Sequence, residues 1–139
     1  ISFVGHLDAV KAVLSVHENL QIWARLHGGT DKTISMALKK MGLKGLENTP
    51  GRYLSAGQKR RLSLARLVAS HAVLWLLDEP TIALDPASVD ALRDLIAEHR
   101  NSGGMTIIAN NIDLGIADTA ELNMRKFATA GESIWEGAR

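Results

Sequence analysis

The chain has 139 residues, enough for one modest domain with a real core and too few for two ordinary ones. Apolar residues make up 46% and charged residues 22%, which excludes a disordered chain; 16 Lys and Arg against 15 Asp and Glu leave a net charge of +1, without the broad positive excess of a nucleic-acid coat or a polybasic membrane binder. The absence of cysteine excludes disulfides and thiolate metal sites and fits a reducing compartment, and the longest apolar run, residues 72–77, falls far short of the roughly 20 needed to span a bilayer.

In chain order, residues 1–4 read as an apolar strand. The sequence opens on Ile1 inside it, so the expectation is an internal start of a longer protein. From Ser15 the period becomes helical: Val16, Leu20, Trp23 and Leu26 share a face, Ser15 with Glu18 spells a capping box, and Gly28 and Gly29 end the run. A second helix is predicted over 31–41, with Ile34, Leu38 and Met41 inward and Gly42 as its stop. Residues 43–53, which carry two glycines and Pro50, read as a connector into LSAGQKRRLSLARLVAS at 54–70.

Residues 72–77 are too short and too continuously apolar for a surface helix, and they read as a strand buried on both faces. Asp85 and Pro86 signal a cap and first helical residue, with Val89, Leu92, Leu95, Ile96 and His99 along one face to about Arg100. After the break at Asn101 to Gly104, residues 106–109 form another strand, completing the spacing of a right-handed parallel crossover. The class is α/β. Beyond Gly115 the pattern weakens to a loosely apolar tail around Phe127, Ile134 and Trp135.

Ser55 and Gln58 have the spacing of a capping box, but capping does not call for Ala56 and Gly57, two small residues that leave first-turn amides uncovered. Such amides, with the positive end of the helix dipole, suit a phosphate, so capping and anion binding both stand as readings. In VLWLLDEP the strand delivers Asp78 and Glu79 at its C-terminal end, the edge where parallel sheets bind ligands. Adjacent carboxylates repel, so a cation or a water accounts for them better than an acidic turn does. Asp78 suits Mg²⁺, which keeps several waters, and Glu79 suits a general base for an attacking water, with Asp85 following in a loop along the same edge.

LSAGQ, an apolar strand ending in DEP, and T-x-A-L-D in this order resemble the ATPase subunit of an ATP-binding cassette (ABC) transporter, a P-loop NTPase-like domain with a parallel sheet and a helical subdomain. The resemblance implies ATP and Mg²⁺ as cofactors and a head-to-tail homodimer. Ser55, Gly57 and Gln58 would touch the γ-phosphate of ATP held by the opposite subunit, with Ala56 where a second glycine is commoner. It further implies Asp78 as the magnesium-associated aspartate, Glu79 as the catalytic glutamate and Asp85 as a contact to the other subunit. FVGH at 3–6, SVHENL at 15–20 and LWLLDEP are most similar to the haem-exporter ATP-binding subunits of cytochrome c maturation. Integral membrane permease subunits are then the partners. The place is the cytoplasmic face of the inner membrane, held peripherally through those partners, and nucleic acid is not expected. Residues 15–53 would be the subdomain that presses on the permease, with Leu14 and Val16 as contacts, and 54–115 the signature helix and catalytic core.

The sequence departs from that pattern in three places. It has no G-x-x-x-x-G-K-[ST] loop, and the dipeptide Gly-Lys never occurs, so the phosphate-loop portion is expected before Ile1 and the chain alone is expected to be inactive. His6 falls where the family offers a glutamine to metal and water; a neutral histidine can accept from a metal-bound water, and a plain polar residue at a strand end is the alternative. Asn111 falls where the family places a histidine on the γ-phosphate, and an amide donates a hydrogen bond without positive charge, which predicts weakened hydrolysis.

The remaining features read as structural. His17 and His27 are expected in solvent, His71 ahead of the buried strand, His99 as a cation near a helix C-terminus, Trp23 and Trp75 in the core, and Lys59, Arg60 and Arg61 on a solvated face. Two rival readings are a soluble cassette ATPase of translation or DNA repair, and a non-hydrolysing regulatory module favoured by Asn111 and the missing loop.

Overall fold

The computed structural model describes residues 1–127. Their elements run β1 (Ser2–Val4), α1 (Val16–Leu26), α2 (Asp31–Lys40), α3 (Ala56–Ala69), β2 (Leu74–Asp78), α4 (Pro86–Asn101) and β3 (Met105–Ala109), with 3-10 turns at Gly51–Tyr53 and Met124–Phe127. Each helix starts where a short polar side chain reaches an amide three residues on. Ser15 with Glu18, Thr30 with Thr33 and Ser55 with Gln58 form reciprocal capping boxes, and Asp85 caps α4 ahead of Pro86. Gly42, at φ +61°, follows α2 in the left-handed conformation that glycine adopts without strain.

The strands form one parallel sheet in the order β1-β2-β3, with Val4 opposite Leu77 and Asp78 opposite Ala109. Val4, Trp75 and Leu77 point into one continuous core that includes Leu20 from α1, Leu62, Leu64 and Leu67 from α3, and Leu92 and Ile96 from α4. The predicted burial of the central strand on both faces is corrected: on the opposite face Phe3, Met105 and Ile107 are exposed and Leu74 and Leu76 only half-buried, because nothing among the described residues covers it.

α1 and α2 pack against α3, and the connector folds back along the segment before α1. Backbone bonds from Val16 to Thr49, Gly51 to Leu14 and Arg52 to Ala12 tie the two segments. Buried Asn19 pins the inner one: its amide donates to the carbonyls of Lys11, Leu14 and Ser15, and its Oδ1 accepts from Lys11 N–H at 2.8 Å. Gly51 is needed here, since a Cβ would stand 2.8 Å from the Lys11 carbonyl oxygen. Together these contacts set where the chain enters α3.

Two expectations for α1 are corrected. Val16 is wholly buried, so it cannot meet a membrane partner, whereas Leu14 is half-buried. Leu26 is exposed: ten residues from Val16, the 3.6-residue repeat has turned it about 80° off the buried stripe, and Ala24 fills the core instead. Of the tail, Phe127 is exposed, and Ile134 and Trp135 lie outside the described residues.

Candidate functional site

A parallel sheet brings the C-terminal ends of all its strands to one edge, and here that edge carries the predicted chemistry. One and two steps beyond the paired residues stand Gly5 and His6 after β1, Glu79 after β2, and Asn110 and Asn111 after β3. Asp78 closes β2 and is half-buried; His6 and Asn111 are exposed. Glu79 has φ +47°, a left-handed conformation unusual for any residue with a Cβ, and it precedes Pro80, which itself restricts the residue before it. Its N–H donates to the Ala109 carbonyl at 2.8 Å, so the turn after β2 is stitched to the end of β3.

The asparagine pair divides its work. Asn110 accepts from the Thr81 hydroxyl at 3.1 Å and donates to the Ile112 carbonyl at 2.6 Å, fixing the 79–81 turn against the end of β3. Asn111 makes no hydrogen bond among the described residues and leaves its amide open to solvent. The structure thus gathers His6, Asp78, Glu79 and Asn111 on one edge without joining Asn111 to either carboxylate.

At the start of α3 both sequence readings have a physical basis. Ser55 Oγ accepts from Gln58 N–H at 3.2 Å and Gln58 Oε1 accepts from Ser55 N–H at 2.8 Å, which satisfies two of the four donors at a helix start. The amides of Ala56 and Gly57 are left without an intrahelical acceptor, and Ser55 and Ala56 are exposed. Gly57 also lies against the loop before α4: a Cβ on it would stand 2.9 Å from the Ala83 carbonyl oxygen, and Ala83 itself has φ +61°. In the same loop exposed Asp85 accepts from Ser88 N–H at 2.8 Å. Hydrogen bonding from Ser88, with the charge of Arg61 adding to it, holds the Asp85 carboxyl below its ordinary range.

Arg60 overturns the expectation of a solvated basic face. It is 1% exposed and donates from all five N–H positions: Nη1 to the Gly5 carbonyl at 2.7 Å and to Asp8 Oδ1 at 3.2 Å, Nη2 to the carbonyls of Asp78 at 3.0 Å and Glu79 at 2.6 Å, and Nε to that of Pro80 at 3.3 Å. Its spacing carried the signal, since Arg60, Leu64 and Leu67 follow i, i+4, i+7 on the buried stripe of α3. His99 lies in the last turn of α4 as expected, and there it stacks on Trp75 at 3.7 Å between ring centroids, with Nε2 near the carbonyls of Val73 and Met105. Trp75 is core as expected, while Trp23 is half-buried beneath the Arg66 guanidinium and beside His27.

Among the described residues there is no group of three or more His, Asp or Glu side chains that would enclose a metal. A single carboxylate at a sheet edge, Asp78, fits Mg²⁺, which is held through one or two carboxylates plus phosphate and water rather than by a protein cage. No helix in this part of the chain is long and apolar enough to cross a membrane.

The sequence matches the ABC transporter family model over residues 1–82. It is 49% identical over 134 residues to the cytochrome c biogenesis ATP-binding export protein CcmA of Paramagnetospirillum magneticum, covering 94% of this chain and 62% of that protein. It is 51% identical over 126 residues to the protein of the same name from Rhodospirillum rubrum, covering 91% and 54%. The chain therefore spans little more than half the length of these curated relatives. A solved dimeric ATP-binding cassette in a post-hydrolysis state with ADP and Pi superposes with a TM-score of 0.72 at 24% identity, over 84% of this chain and 53% of that one, a likeness of fold.

Proposed function

The chain belongs to the ABC transporter family, and from that premise we propose that it forms part of the ATP-binding and hydrolysing subunit of the haem exporter complex of cytochrome c biogenesis. The observation that carries the reading is the sheet edge that gathers His6, Asp78, Glu79 and Asn111 beside a helix whose amides at 56 and 57 lack intrahelical acceptors. The identity of about half the sequence to two ATP-binding export proteins supports the finer assignment.

In this reading two copies pair head to tail around ATP. Ser55, Ala56, Gly57 and Gln58 of one copy bind the γ-phosphate through helix-start amides and the serine hydroxyl, where developing charge is stabilised most. In the other copy the Glu79 carboxylate takes a proton from water as the water oxygen attacks the γ-phosphorus, the bond from that phosphorus to the β–γ bridging oxygen breaks, and ADP and inorganic phosphate leave. His6 orients that water, and Asn111 donates its amide to the phosphate. Bound with the nucleotide, Mg²⁺ supplies charge neutralisation at the phosphates, and Asp78 is the residue that would hold it. Asp85 contacts the opposite copy. Residues 15–53 form the subdomain that meets integral permease subunits, which keep the protein on the cytoplasmic face of the inner membrane.

The test is made on the chain completed to the length of its relatives. Glu79→Gln with ATP should trap a dimer in sedimentation, and the protein should co-purify with an integral membrane partner. A completed protein that stays monomeric with ATP overturns the proposal. The exposed Asn111 favours one other reading, a nucleotide-binding module that does not hydrolyse. If Asn111→His raises turnover from a measurable wild-type rate, that reading is excluded.

A further inference from the structure

We propose that Arg60 is the positioning residue for Glu79, clamping its left-handed backbone and locking that turn to the start of α3 and to the segment after β1. The inference rests on the ATPase reading for its kinetic consequence, but its geometry stands apart from it. A residue with a Cβ persists at positive φ only where its surroundings over-determine it. Around Glu79 the carbonyls of Asp78, Glu79 and Pro80 all turn toward one guanidinium, while two further backbone bonds act on the same turn: Glu79 N–H to Ala109 and Ile82 N–H to the Glu79 carbonyl.

The clamp spans three elements. Arg60 lies five residues after Ser55, so the helix that offers its first-turn amides also grips the strand end that carries the carboxylates. Through Gly5 and Asp8 the same group fixes the segment that bears His6. Lysine has three donors on a point charge and cannot reproduce a planar fork with five. Without the fork the Glu79 peptide relaxes toward extended backbone and its carboxylate leaves the direction that the chemistry needs. Misplacement on the scale of 1 Å costs about 100-fold in rate.

The experiment compares wild type, Arg60→Lys, Glu79→Gln and the double variant in the chain completed with the matching sequence of the P. magneticum relative. Arg60→Lys should lower kcat by roughly 10- to 100-fold with the KM for ATP within about twofold. In the Glu79→Gln background it should add clearly less than its loss in the wild type, because it acts mainly through Glu79 and only in part through the His6 segment; a fully additive loss overturns the proposal. Amide hydrogen exchange should rise in residues 78–84 and not in α1 or α2. Unchanged exchange in that turn refutes the clamp whether or not the protein hydrolyses ATP. A wild type without turnover refutes the ATPase reading alone, and the exchange result still decides the clamp. Should Arg60→Lys fail to fold, the wild type decides through its ¹⁵N-arginine spectrum: separate, slowly exchanging Arg60 Nη protons support the clamp, and a single averaged signal overturns it.

Discussion

The two halves of the candidate site are built on opposite principles. The start of α3 is local: Ser55 and Gln58 satisfy one another across three residues, and the amides of Ala56 and Gly57 follow from where the helix begins. The end of β2 is non-local: Glu79 sits in a disfavoured conformation held by Arg60, some twenty residues away, and by Ala109, thirty residues on. A half made by neighbours in sequence tolerates change elsewhere in the molecule, while a half made by distant partners fails when any of them is lost.

Arg60→Met tests the difference most severely. It removes five donors from buried or half-buried acceptors and should cost roughly 3–5 kcal/mol in urea unfolding; a loss below about 1 kcal/mol would place the support for the β2 end elsewhere. Gly57→Ala touches the seam between the two halves. The added methyl meets the Ala83 carbonyl, an overpacking cost of about 1–3 kcal/mol that outweighs a helix-propensity gain of about 1 kcal/mol. A net loss in thermal unfolding is expected, and a gain would mean that the 83–85 loop yields freely. Ser55→Ala should cost about 1 kcal/mol, the ordinary value of a cap, with hydrogen exchange around Glu79 unaltered.

The smallest effect belongs to Asp85. Its carboxyl is held below the ordinary carboxylate range because hydrogen bonding from Ser88, and less so the charge of Arg61, favours the charged form, so the folded state binds its proton less readily than the unfolded chain does. The stability it contributes is present above the unfolded value and is lost as pH falls through the lower folded value. Asp85→Asn keeps a good cap and should flatten the acid limb of a urea titration below about pH 4, leaving the neutral region nearly level. An identical acid limb in both proteins would show that the cap carries no linkage.

The same division explains what the sequence made legible. Helix starts at Ser15, Ser55 and Asp85 were readable because their partners lie three residues away. The order of strand, helix and strand disclosed the parallel sheet, and with it the common edge for His6, Asp78, Glu79 and Asn111. Arg60 was misjudged because its neighbours Lys59 and Arg61 suggested a wet face, whereas four carbonyls and a carboxylate from elsewhere make burial of a guanidinium favourable. The stacking of His99 on Trp75 escaped for a similar reason, since it requires the strand and helix already to be packed. Leu26 departs from expectation because ten residues of helical turn carry it off the buried stripe, while Val16, inward as its face implies, lies too deep for the permease contact also expected of it.

The left-handed backbone at Glu79 sets stability and chemistry against each other. Glycine at that position would shed a conformational penalty on the order of 1 kcal/mol and, by the same stroke, the carboxylate. On the proposed ATPase reading, selection for heat resistance alone would therefore drift toward a sturdier and inert protein, and Glu79 at φ +47° would mark a trade-off settled in favour of activity.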